Sequence, residues 1–187
     1  MLATFGGTRK RGVVVMRRLV MIVALGTIVS LLGGLLPASQ ALAGRGPKWQ
    51  IVPAQPFTLP AEFCGFKIRV AFLGNQYSKV LKSSNGTEIT LATGATRISY
   101  TNRSNGKTII PNVSGPSKTI VYPDGSAFLA LKGHSGLFLP PDLAQRFRLP
   151  GVSVTAGALT IGFDPDGHLT SLSLRGHVLV DVCAALS

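Results

Sequence analysis

From Cys64 onward the chain is cut into short pieces by reversals that only certain residues permit. Asn85-Gly86, Asn105-Gly106, Pro123-Asp124-Gly125 and Asp164-Pro165-Asp166-Gly167 put Gly where a tight turn needs positive φ, with Pro or Asp pre-forming the bend. Between them lie short apolar or β-branched runs. Cys64, Phe66, Ile68, Val70 and Phe72 alternate with Lys67, Arg69 and Ala71, which is the two-residue period of a half-buried strand. Further runs at 79–82, 88–93, 96–101, 107–113, 117–122, 126–132, 152–156, 158–163, 168–174 and 177–182 repeat the pattern. Turn signals about 8 to 12 residues apart predict an all-β fold. Helical periodicity is confined to a short turn over 142–147, entered by Pro140-Pro141. Hairpin-length links make an antiparallel meander the economical topology, closed as a barrel or, alternatively, packed as a β-sandwich.

The first 43 residues belong to a different kind of sequence. Arg9, Lys10, Arg11, Arg17 and Arg18 precede an apolar run from Leu19 to Leu36, then Pro37, small residues and Ala41-Leu42-Ala43. A basic stretch, an apolar stretch and an Ala-x-Ala site form the layout of a secretory signal peptide, with cleavage expected between Ala43 and Gly44. Met16-Arg17-Arg18 alone would supply the basic stretch. An uncleaved anchor is the competing reading, although Gly26, Thr27, Ser30, Gly33 and Gly34 dilute the run. The organisation expected is therefore signal peptide 1–43, a Pro-rich extended leader 44–60 carrying the sole Trp, Trp49, and a single β domain 61–187. The protein is expected to be secreted or extracytoplasmic, touching the membrane only through the signal peptide before cleavage.

Location bears on charge. The whole chain carries 19 Lys and Arg against 7 Asp and Glu, a net of +12. Removing residues 1–43 takes away five basic residues and no acid, which lowers +12 to +7. The remaining cations are spaced singly along the sequence, without the basic cluster or helix motif of a nucleic-acid binder. Summed surface potential instead fits weak attraction to anionic cell-envelope polymers or headgroups, and no nucleic-acid partner is expected.

Cys64 and Cys183 are the only cysteines. In an oxidising compartment two cysteines pair, and a Cys64–Cys183 disulfide would tie the first strand to the last. Cys64 shares the parity of the apolar face, whereas Cys183 shares that of His177 and Asp181. A bulge, or a strand ending near Asp181, is needed to reconcile them.

No coherent catalytic set emerges. Gly133-His134-Ser135-Gly136 has its second Gly one place too early for a nucleophile elbow and reads as a hairpin turn. Asp164-Pro165-Asp166-Gly167 lacks a third acid, with Arg175 where a calcium loop needs Glu. His134, His168 and His177 have no metal-ligand spacing, and His177 with Asp181 forms at most a surface pair. No catalytic residue, metal or cofactor is assigned.

Phe63-Cys64-Gly65-Phe66-Lys67-Ile68-Arg69-Val70, Ile98-Ser99-Tyr100-Thr101-Asn102, Asn105-Gly106-Lys107, Asn112-Val113-Ser114-Gly115-Pro116, Tyr122-Pro123-Asp124-Gly125-Ser126 and the terminal Val182-Cys183-Ala184-Ala185-Leu186 together resemble a group of uncharacterised secreted actinobacterial β-rich proteins. The resemblance implies export and a Cys-bearing first strand but no activity. The leading expectation is an exported non-enzymatic β domain, a binding or envelope-associated module. One alternative is a carrier of a small apolar ligand, with Phe66, Ile68, Val70, Phe72, Leu159, Ile161 and Phe163 lining a barrel cavity. The other is a small secreted hydrolase.

Overall fold

The computed structural model describes residues 47–83 and 85–187. The apolar run of the N-terminal segment and the Ala43/Gly44 junction lie outside the described residues. Among the described residues the fold is all-β, one antiparallel sheet with two short α-helices and a 3-10 turn at Ala61–Phe63. Its strands are β1 (Gln50–Val52), β2 (Phe57–Leu59), β3 (Ile68–Lys82), β4 (Glu88–Asn102), β5 (Thr108–Ile109), β6 (Ser117–Val121), β7 (Ala127–Phe138), β8 (Val152–Phe163) and β9 (Leu169–Asp181). The ladder runs β1-β3-β4-β6-β7-β8-β9, so from β3 onward the long strands form the expected meander. β1 and β2 lie within the leader and pair with opposite ends of β3, while β5 pairs with β4. Asn85-Gly86, Asn105-Gly106, Pro123-Asp124-Gly125 and Asp164–Gly167 do form reversals, each with its Gly at positive φ.

The strands are longer than the sequence pattern suggests. β3 and β4 have 15 residues each, about 50 Å if straight, whereas ordinary strands rarely exceed ten. Internal glycines separate the runs read from sequence, but here the strands pass through them. Gly74 in β3 has φ 96° and Gly157 in β8 has φ 120°. A Cβ at Gly74 would run into the carbonyl oxygen of Ala95 on β4, and one at Gly157 into that of Arg175 on β9. Only glycine lets the strands bend there without losing register. By the same logic the expected hairpin turn at Gly133–Gly136 is corrected: those residues lie inside β7, where Gly133 pairs with Gly157.

Two packed clusters follow. In the first, Ile68 and Val70 of β3 with Ile98 and Tyr100 of β4 meet Phe138 of β7 and Val152 and Val154 of β8. In the second, Leu129, Leu131 and Leu137 of β7 with Leu159 and Ile161 of β8 are covered by Leu143, Ala144 and Phe147 of α1 (Pro141–Phe147) and Leu149 just beyond it. Phe138 and Leu137 are neighbours in sequence yet join different clusters, so this end of the β7–β8 pair is buried on both faces. The seven residues expected to line a lumen divide the same way: Phe66, Ile68, Val70 and Phe72 join the first cluster, Leu159, Ile161 and Phe163 the second.

The closed barrel is not what forms. Among the described residues β9 pairs only with β8, and no ladder joins it to β1, β2 or β3. The physical reason lies in α2 (Val182–Leu186), which begins where β9 ends. Asp181 caps it, its carboxylate accepting the Ala184 N–H at 3.1 Å. Val182 and Leu186 are fully buried in the first cluster, and the Asn102 and Asn105 amides donate to the Leu186 carbonyl. A helix cannot extend a ladder, so the seam is sealed by side-chain packing. Cys183 rides on α2 and forms the expected disulfide with Cys64, Cα–Cα 5.1 Å, across a separation of 119 residues. On the chain-entropy account a loop of that size contributes on the order of 4 to 5 kcal/mol. Both reconciling devices for Cys183 are present: β9 stops at Asp181, and a bulge leaves Leu179 extra between the Val154–Val180 and Thr155–Val178 pairs.

Candidate functional site

Alternation on β3 and β4 sends Ile68, Val70, Ile98 and Tyr100 inward, and therefore Arg69, Leu73, Tyr77 and Lys79 outward. Register carries that outer face across the sheet. Leu73 opposes Arg97, Lys79 opposes Leu91, Leu91 opposes Lys118, and Lys118 opposes Ala130. Lys132 and Arg175 both oppose Ala158. Cations that sequence spacing left dispersed thus share one face of the ladder: Arg69, Lys79, Arg97, Lys118, Lys132 and Arg175; beyond Gly133 and Gly157 that face turns into the first cluster through Phe138, Val152 and Val154. No outer-face position of β3, β4, β6, β7 or β8 holds Asp or Glu. Among the described residues no Lys or Arg lies within ion-pair distance of an Asp or Glu; the one side-chain ion pair joins His168 to Asp164, while the Lys107 ammonium donates to a Ser187 oxygen at 3.1 Å. Uncompensated like charges on one face repel one another and raise the local positive potential.

At the β1 edge this face becomes apolar as well. Ile51 is directly opposite Tyr77. Ile51 is 62% exposed, Trp49 46%, Leu73 42% and Tyr77 37%. The Lys79 ammonium sits 4.9 Å above the Trp49 ring, a cation–π contact that fixes the indole against the sheet.

The other candidates do not assemble into a site. Ser135 is 3% exposed in mid-strand, its backbone carbonyl accepting the Thr155 hydroxyl. With Gln76, Thr96, Lys132 and His134 it borders a small pocket. Asp181 caps α2 and is not paired with His177. Asp164, Asp166 and His168 bring their ligand atoms within 4.8 Å of one another at the β8–β9 hairpin, a set whose hard oxygens would suit a divalent cation. Asp164 is already engaged, accepting the His168 N–H at 2.7 Å and lying 3.3 Å from its ring nitrogen. Those contacts, the backbone N–H first, hold its carboxyl below the usual carboxylate range.

Searches against protein-family models, curated proteins and solved structures found no match to this chain.

Proposed function

We propose that this protein is an exported, non-enzymatic β module that docks on the anionic surface of the cell envelope through the outer face of its sheet. The interior, a sheet folded back on itself in the manner of a β-sandwich, acts as scaffold. The observation that carries the reading is the acid-free row of Lys and Arg across β3, β4, β6, β7 and β9, unpaired with any carboxylate among the described residues. Such a face attracts polyanions over the screening distance of the medium, about 10 Å at 0.1 M salt and about 3 Å at 1 M. The disulfide accords with an oxidising compartment.

Retention on a matrix bearing a phosphate-rich or uronic-acid polymer tests this. The protein is expected to bind at low ionic strength and elute as salt rises. Replacing Lys118, Lys132 and Arg175 together by Gln is expected to shift elution to clearly lower salt. Replacing Lys82 and Lys107, which lie off that face, is expected to shift it far less. Equal shifts for both sets would reduce the outer face to ordinary solubilising charge.

A further inference from the structure

Resting on that reading, we infer that the anionic surface is a lipid bilayer, and that the β1 edge of the outer face enters its interfacial layer with Trp49, Ile51, Leu73 and Tyr77, while Lys79 and Arg97 meet the headgroups. Trp49, just before β1, Ile51 on β1 and Tyr77 on β3 gather at one edge, with Leu73 farther along β3 on the same face, and such exposed apolar patches mark contact sites. Their chemistry chooses among anionic partners. A charged polysaccharide can stack on Trp49 and Tyr77, but it offers nothing to Ile51, the most exposed of the four, or to Leu73. An acyl boundary accommodates all four: indole and phenol rings favour the headgroup level, and aliphatic chains the layer beneath. Charge complementarity supplies the rest. Lys79 and Arg97 stand beside the apolar residues on the same face, and Lys118, Lys132 and Arg175 extend the positive field inward from the edge. A cationic surface with an apolar rim is the arrangement by which peripheral proteins gain two weak attractions at once.

Trp49 is the chain's only tryptophan and therefore reports on this edge alone. The exported protein would be mixed with vesicles of phosphatidylglycerol and phosphatidylcholine, with vesicles of phosphatidylcholine alone, and with a soluble anionic polymer. The expected result is a blue-shifted Trp49 emission, quenched by a quencher carried on the acyl chain, only with the anionic vesicles. Ile51→Ser and Leu73→Ser should each lower vesicle partitioning by about ten-fold, the scale of exposing one large aliphatic side chain, and leave polymer binding unchanged. All variants share the same N-terminal segment, which cancels from the comparison. Polymer binding without any Trp49 response to vesicles, or Ser variants that partition like the parent, would overturn bilayer insertion and leave the envelope reading standing. Binding to neither partner would overturn both.

Discussion

The two faces of the β3–β4 ladder are made by the same residues of sequence, taken alternately, and they serve opposite ends. Arg97 and Ile98 are adjacent, yet Ile98 is fully buried while Arg97 stands in solvent opposite the exposed Leu73. The inward Ile68, Val70, Ile98 and Tyr100 hold aliphatic and aromatic groups at zero exposure, each contributing roughly 1.5 to 3 kcal/mol through burial. Outward positions carry repelling cations and uncovered apolar groups, neither of which favours folding. The difference separates what holds the sheet together from what the sheet is free to present.

That separation can be broken at one pair of neighbours. Ile98→Ala should cost about 3 kcal/mol in denaturant unfolding, the usual range for a large-to-small change in a packed core. Arg97→Ala should stay within about 0.5 kcal/mol of the parent, as exposed substitutions do, while weakening adhesion to anionic surfaces. A smaller effect sharpens the account of the inner face. Tyr100 is fully buried and its hydroxyl has no hydrogen-bond partner among the described residues. Burial pushes its phenol above the ordinary value of 10.0. The folded state thus keeps a proton that the unfolded chain releases, so stability is full below pH 10 and falls as pH rises beyond it. Tyr100→Phe should flatten that alkaline decline in a comparison of thermal unfolding across pH. At neutral pH it should raise stability by about 1 kcal/mol, because an unsatisfied buried hydroxyl is removed.

Local chemistry made much of the architecture readable. The alternation of Ile68, Val70 and Phe72, the Gly-bearing turns, the short helix after Pro140-Pro141 and the Cys64–Cys183 bridge each follow from rules that act over a few residues or from the presence of only two cysteines. Two things escaped. Gly74, Gly133 and Gly157 look like turn residues because the same positive φ that ends a strand in a reversal also bends a strand that continues. Which occurs depends on whether a neighbouring strand holds the ladder on both sides. Closure escaped for a related reason: nothing local in the residues after Asp181 marks a helix, and it is the burial of Val182 and Leu186 in the cluster of Ile68, Tyr100 and Val154 that favours one. The candidate site was least legible of all. Lys79, Lys118, Lys132 and Arg175 are far apart in sequence, and only the cross-strand register places them on one face. Exposure of Trp49 was likewise hidden, since a lone Trp in a Pro-rich leader suits docking on the domain as well as display from it.

Amine footprinting on an anionic surface tests the central claim most directly, because the molecule carries its own control. Lysines would be labelled in the free protein and in the protein bound to anionic vesicles, then read by mass spectrometry. If the outer face is the docking surface, Lys79, Lys118 and Lys132 lose reactivity on binding, while Lys82, of opposite parity on β3, and Lys107, in the turn beside Asn105, keep theirs. Uniform protection of all five, or protection of Lys82 and Lys107 instead, would contradict the account.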